Sequence, residues 1–364
     1  MAFQRKLSMT RQMAESYYKN GTWPPDKWDY SIGVVLLGYL RLDEALGTDI
    51  WTGRVLEYCK KLVNPNGIIH TYIPYIYNID HVNTGKIFYR LLETNRDSRW
   101  EKALRAIRGQ LETHPRTRDN IFWHKMIYPH QVWLDGLYMG LPFLAEWGKT
   151  FGEKEVFDDI TAQIENATSH LYDKKTGLYY HGWDQSGGMK WSQPQNNCSP
   201  NFWGRSMGWL VMALVDVLCL MPPGHEGITR IRKILESAIM ALVKVADGES
   251  GVWYQVLDQG KREGNYLESS ASCMIAYSIA RAVSKGHLPD KYLPAAKKAW
   301  EGIKKQFVCS DARGMRLANS CKVAGLGGYP YRDGSYEYYL GEPIVDDDDK
   351  GIGAFILAGT ELEE

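Results

Sequence analysis

Asp135 stands in WHKMIYPHQVWLDGLYMGLPFLAEWG, residues 123–148, where polar and aromatic residues give way to an apolar run of helical length. His124, Lys125, Tyr128, His130, Gln131, Trp133 and Tyr138 surround it in sequence. A carboxylate among imidazoles, an ammonium and flat rings suits proton transfer on a polar, ring-shaped ligand. An Asp at a helix start is also a common plain N-cap. A second acid, Asp80, heads another such run, DHVNTGKIFYRLLE.

Two kinds of helix must position these acids, and they alternate along the chain. The first kind is amphipathic and charged, at residues 5–18, 49–62, 99–111, 154–171, 227–246 and 291–307. Apolar residues recur there at helical spacing with Lys, Arg and Glu between them, which predicts one solvent-facing side. The second kind is apolar all round, rich in small residues, and preceded by a polar cluster. It covers 28–42, 80–93, 134–147, 203–218, 268–283 and 349–362. Helices apolar on every side are buried. Six alternating pairs predict an all-α fold that closes on itself, an (α/α)6 barrel or six-hairpin toroid. No linker divides it, so residues 1–364 read as one domain.

In such a ring the inner helices run the same way and their N-termini share one face. That face gathers Trp28, Asp29, Tyr30, Asp80, Lys125, Asp135, Trp203, Arg205, Glu268, Asp349 and Lys350. Capping explains acids at helix starts, but not Arg205, and a Lys there opposes the helix dipole. Long connections precede the inner helices. Residues 171–201 read as a loop with a short β-hairpin around Gly187–Gly188, carrying His181, Trp183 and Trp191. Residues 311–348 form another, ending in the acidic run DDDDK, which reads as a solvated charge run. Structured loops on one face of a barrel commonly build its binding site.

Composition narrows the function classes. The chain of 364 residues has 43 basic and 43 acidic side chains, and this balance argues against a nucleic-acid or membrane-surface partner. Its 13 Trp and 23 Tyr, against 9 Phe, suit a cleft that stacks on a polar ligand. The six cysteines are scattered without metal-ligand spacing, so free thiols in a reducing, cytoplasmic setting are expected. The N-terminal residues carry no apolar signal segment, and no 18-residue apolar run predicts a membrane span. Neither a metal nor a nucleotide-binding motif is present, and no cofactor is expected. Nothing in the sequence fixes an oligomeric state.

The motifs IDHVNTGK (79–86), HKMIYPHQVWLDGLYMG (124–140), YYHGWD (179–184), WGRSMGW (203–209), WYQV (253–256) and DGSYEYYL (333–340) occur in this order. With them the chain resembles the unsaturated rhamnogalacturonyl hydrolases of glycoside hydrolase family 105, and more distantly the unsaturated glucuronyl hydrolases. The pairing of WLDGLYMG with GRSMGW is the specific part. The resemblance implies the (α/α)6 barrel independently. It also implies removal of a 4-deoxy-hex-4-enuronic acid from the non-reducing end of a lyase product. The double bond C4=C5 is hydrated, and the resulting hemiketal collapses. An unsaturated rhamnogalacturonan disaccharide or short oligosaccharide is the implied substrate; a different uronide, as in the glucuronyl hydrolases, is the alternative.

By motif match Asp135 is the implied general acid/base and Asp80 its partner carboxylate. Lys125, His181, Arg205, Trp209 and Trp203 are implied to line the subsite, with Tyr30 and Glu268 resting mainly on helix-start position. The chemistry makes sense of two acids. A lone Asp, pKa about 3.9, is a poor proton donor near neutrality, whereas a neighbouring carboxylate raises one member of a pair. Asp80 and Asp135 are therefore expected to titrate jointly. Arg205 and Lys125 suit the substrate's own carboxylate, and Trp203 and Trp209 suit stacking. Bland readings stand beside these: His181 as a structural His, and Trp209 as core packing. An inverting glycosidase, a sugar epimerase and a helical-repeat binding protein are the competing classes.

Overall fold

The computed structural model describes residues 6–20 and 26–363. The first outer helix, expected from residue 5, is described from Ser8; Arg5 lies outside the described residues. In chain order the helices are α1 (Ser8–Asn20), α2 (Tyr30–Leu46), α3 (Ile50–Leu62), α4 (Asp80–Asn83), α5 (Ile87–Asn95) and α6 (Ser98–Thr113). Strand β1 (Gln131–Trp133) leads into α7 (Leu134–Phe151), followed by α8 (Val156–Leu171). Then come β2 (Gly182–Asp184), α9 (Gly204–Leu220), α10 (Gly227–Val245), α11 (Ser269–Ser284) and α12 (Leu293–Gln306). The chain ends with β3 (Val308–Asp311), β4 (Gly314–Leu317), β5 (Ser320–Cys321), α13 (Tyr336–Gly341), β6 (Ile344–Val345) and α14 (Asp349–Leu362).

The ring closes as the two helix kinds require. α2, the α4–α5 segment, α7, α9, α11 and α14 each pack on their neighbours, and α14 returns to α2. One continuous apolar core runs from Leu7 to Ala358. α1, α3, α6, α8, α10 and α12 lie outside, each against an inner helix. Among the described residues no helix is long and apolar enough to cross a membrane.

Small residues set the inner spacing. A Cβ on Gly33 would lie 2.4 Å from Thr84 Oγ1, and one on Gly353 would lie 2.5 Å from the Val34 backbone. A side chain at either position would push α2 off one of its two neighbours. The second inner element departs from a plain helix: a 3-10 turn, Thr84–Lys86, separates α4 from α5. There Thr84 Oγ1 bonds the Asp29 carbonyl and Asn83 Nδ2 the Tyr30 carbonyl. These ties to the start of α2 favour the tighter winding.

The β structure is small and locates the site. β2 pairs antiparallel with β1, in the register Gln131↔Asp184, Val132↔Trp183 and Trp133↔Gly182. Across the turn at Gly187–Gly188 a single bridge joins Trp183 to Cys198. The regular hairpin is β3–β4, in the connection after α12. The 124–131 segment folds back on itself, His124 N–H donating to the Gln131 carbonyl (2.8 Å), and it docks against Asn78 and Ile79 just ahead of α4.

Candidate active site

Backbone pairing places the candidate side chains. Leu134 N–H donates to the His181 carbonyl (3.0 Å), so the β1–β2 ladder holds His181 beside the first turn of α7. His181 Nε2 thereby comes 3.3 Å from Asp135 Oδ2. In the same way Ile79 N–H donates to the His124 carbonyl (3.2 Å), which sets His124 and Lys125 over the start of α4. Lys125 Nζ lies 2.7 Å from Asp80 Oδ2, and His124 Nε2 lies 3.5 Å from Asp80 Oδ1.

Asp135 is not a cap. The residue flanking α7 is Trp133, and no side chain caps this helix. The capping acids are elsewhere: Asp29 on Ser31 N–H, Glu268 on Ala271 N–H, and Asp348 on Lys350 N–H. Asp135 Oδ2 and His181 Nε2 are both buried without a hydrogen-bond partner. Such atoms are uncommon in a folded interior and mark a place kept for another molecule or for water. On its far side His181 is fixed: Nδ1 and the Tyr339 hydroxyl are 2.8 Å apart, and the Trp203 ring lies 4.7 Å away.

Asp80 has its own charged neighbours. Burial alone would push Asp80 up, but the Lys125 ammonium and His124 outweigh it and hold the carboxyl below its ordinary value. Burial would likewise lower Lys125, and Asp80 holds it above its ordinary value instead. Asp80 is thus one half of an ion pair, and the cation expected for the substrate is its partner. Burial pushes His124 down to about 4, so this imidazole is neutral. Its ring stacks on Trp133 (4.3 Å), whose indole also stacks with Tyr128 (5.0 Å).

The structure brings Tyr30 to the same place. Burial and the fields of Asp80 and Asp135, partly opposed by Arg205, push its phenol well above the ordinary value. Trp203 closes the wall behind His181, with its indole N–H bonded to Gln255 (3.1 Å). Arg205 sits behind Trp203, its guanidinium 4.9 Å from that ring. Its Nη1 donates to Ser270 Oγ and the Cys321 carbonyl, while Nε has no partner. Nη1 of Arg205 is thus tied to the fold, while the Nε edge of its guanidinium has no protein partner. Trp209 lies further along α9, stacked on Tyr138 of α7 (4.8 Å). Glu268 is spent on Ala271, Ser270 and Cys321. Lys125 is more open than either proposed acid, its side chain 22% exposed against 13% for Asp135 and 9% for Asp80.

Two contributors were not singled out from sequence. His124 adjoins Lys125, so a pairing rule for Asp80 would have found both. Tyr339 lies in DGSYEYYL, and only the fold shows which of its tyrosines turns inward. Among the described residues no group of His, Cys, Asp and Glu is arranged to hold a metal ion.

Comparison with known proteins gives the arrangement a lineage. Residues 5–364 match the model of Glycosyl Hydrolase Family 88. A family 105 glycoside hydrolase from C. acetobutylicum superposes with a TM-score of 0.95, at 44% identity over 97% of this chain and 98% of that one. The unsaturated rhamnogalacturonyl hydrolase YesR of Bacillus subtilis is 28% identical over 278 residues, 73% of each chain. An unsaturated glucuronyl hydrolase from Bacillus sp. GL1 shares the fold, with a TM-score of 0.66 at 16% identity over 96% of this chain and 94% of that one. The chain belongs to the glycosyl hydrolases of families 88 and 105, and its fold is their (α/α)6 barrel.

Proposed function

We propose that the protein removes a 4-deoxy-hex-4-enuronic acid from the non-reducing end of rhamnogalacturonan lyase products, by hydrating C4=C5. The observation that carries this reading is Asp135: a carboxylate in the first turn of an inner helix, at the mouth, with one oxygen left unbonded. The likeness to YesR supports the rhamnogalacturonan substrate. A different uronide is the second choice, favoured by the likeness to the glucuronyl hydrolase.

In the proposed reaction Asp135 gives its proton to C4 of the enol ether. Positive charge then develops at C5 and is shared with the ring oxygen. Water adds at C5 and passes a proton to the Asp135 carboxylate, which restores the acid. The C5 hemiketal opens to a ketone, and the hemiacetal left at C1 releases the aglycone alcohol. Atoms balance with one water consumed. His181, held at Nδ1 by the Tyr339 hydroxyl, presents Nε2 to the Asp135 carboxyl and orients it. The Asp80–Lys125 pair keeps a fixed cation at the mouth, where it meets the substrate carboxylate as a point charge. Asp135 and Asp80 are the proposed catalytic residues, with Lys125, His181, Trp203 and Tyr30 as the binding wall. Arg205 and Trp209 support that wall from behind. We read the whole chain as one catalytic domain, and the six free cysteines as fitting a cytoplasmic setting.

The test is a panel of unsaturated rhamnogalacturonan disaccharide, unsaturated glucuronyl disaccharides and saturated analogues. Turnover is followed by the absorbance of the conjugated double bond for the unsaturated substrates and by release of the aglycone sugar for all of them. Preference for the first, lost in Asp135→Asn, is expected. Turnover of the saturated analogues would sink the hydration reading.

A further inference from the structure

The opposite mouth of the ring, where the inner helices end, holds a cavity of about 640 Å3. That volume lies within the range of small-molecule sites. Its floor is buried, with Lys86 and Arg281 exposing 6% and 8% of their surface. Its rim is open, and Leu37, Leu40 and Pro142 supply an apolar wall. None of the residues around Asp135 or Asp80 lines it.

Most charge here has a structural explanation. Arg41 pairs with Glu44, Arg90 with Glu93, and Arg281 with Glu361. Lys149 lies in the last turn of α7, where a cation complements the helix dipole. Lys86 has no such account. It closes the 3-10 turn between α4 and α5 and directly precedes the N-terminus of α5, where the helix dipole opposes a cation. Its Nζ is buried without a hydrogen-bond partner, with only the Tyr138 ring face 3.5 Å away. Burial pushes this amine down to about 7, against the fields of Asp216 and Glu146, so an acceptor supplied from outside would both fill its empty hydrogen-bond positions and favour its charged form. Of the four acids that line the same cavity, Glu44 and Glu93 pair with Arg41 and Arg90, and Glu146 and Asp216 form no ion pair with Lys86. Asp216 already accepts from the Tyr277 hydroxyl (2.9 Å), and burial pushes Glu146 up to about 7.

We propose that this cavity is a second ligand site, taking a small organic carboxylate of sugar-acid size. The carboxylate meets Lys86 Nζ, and the less polar face of the ligand lies against Leu37, Leu40 and Pro142. The site is independent of the hydrolytic end, so its occupancy does not rest on the substrate proposed above.

The experiment is calorimetric titration of D-galacturonate into the full chain, into Lys86→Met and into Leu37→Trp, with a galacturonate-soaked crystal to locate the ligand. Lys86→Met keeps the stem and removes a buried unpaired charge; Leu37→Trp fills the cavity without changing charge. Binding weakened at least about tenfold in both variants, density beside Lys86, and unchanged hydrolysis of unsaturated disaccharide are expected. Binding that survives both substitutions, density only beside Asp135, or no heat at about 10 mM ligand would overturn the second site. Should one variant fail to fold, the other and the crystal still decide. Loss of hydrolysis in wild type would bear on the proposed function alone.

Discussion

Asp135 with His181, and Glu268 with Arg205, occupy equivalent places: each sets an acid at the start of an inner helix beside a buried nitrogen base. They are finished differently. Glu268 accepts from Ala271 N–H (2.7 Å), Cys321 N–H (2.8 Å) and the Ser270 hydroxyl (2.8 Å). Arg205 Nη1 donates to that same Ser270 and to the Cys321 carbonyl, and Nε has no partner. Asp135 and His181 leave Oδ2 and Nε2 facing one another without a hydrogen bond. Around Glu268 both carboxylate oxygens have partners and tie the start of α11 to Cys321, which holds the fold together. An incomplete network, held rigidly from behind by Tyr339, is available to a substrate.

The comparison breaks most sharply on Asp135. Asp135→Asn should lower kcat by about 10³–10⁴-fold, the range for loss of a general acid, while the melting temperature stays near wild type. Stopped assays and calorimetry on one preparation check both halves. A stability loss without an activity loss would make Asp135 the structural member of the two.

Next in size is the ion pair on the other side of the mouth. Lys125→Met leaves Asp80 buried and unpaired, which should cost about 3–5 kcal/mol in chemical denaturation. Adding Asp80→Asn should recover most of that stability but no activity. Recovery of activity would remove Asp80 and Lys125 from the site.

Acid should act through buried neutral histidines. Burial pushes His124 and His114 down to about 4 from an ordinary 6.5. A depressed pKa gives stability that is complete above 6.5 and is lost as pH falls toward 4. Each should contribute up to about 3 kcal/mol, read as a denaturation midpoint that drops across this window. His114→Gln should flatten the drop by about half. An unchanged profile would mean that these imidazoles are not buried neutral.

Glu268→Gln tests the finished network. It keeps the shape but leaves donors mismatched, for a loss of roughly 2 kcal/mol, with kcat within about threefold of wild type. Smallest is Tyr339→Phe, which frees His181 Nδ1. A roughly tenfold fall in kcat, about 1.4 kcal/mol, with KM unchanged, separates positioning of His181 from binding.

Much of this was legible in the sequence because it depends on periodicity. The all-round apolar runs gave the inner helices, and their polar heads gave the shared face carrying Asp80, Asp135 and Arg205. The broken second inner helix was not legible, since DHVNTGKIFYRLLE has helical spacing and the 3-10 turn follows from the contact of Thr84 with Asp29. Nor were the partners. Whether Lys125 meets the substrate or Asp80 depends on how 124–131 docks against Asn78, a long-range strand contact with no local signature. That the Trp209 indole stacks on Tyr138 follows only from the packing of α9 on α7, which WGRSMGW alone does not reveal.

The central claim, that Asp135 protonates C4 of an unsaturated uronide, is tested most directly by following two signals together on unsaturated rhamnogalacturonan disaccharide. These are the absorbance of the C4=C5 bond and the release of the aglycone sugar. The account predicts one double bond lost for each aglycone released, with both signals absent in Asp135→Asn. Aglycone release that leaves the double bond intact would mean cleavage at C1 by ordinary glycoside hydrolysis, and would contradict it.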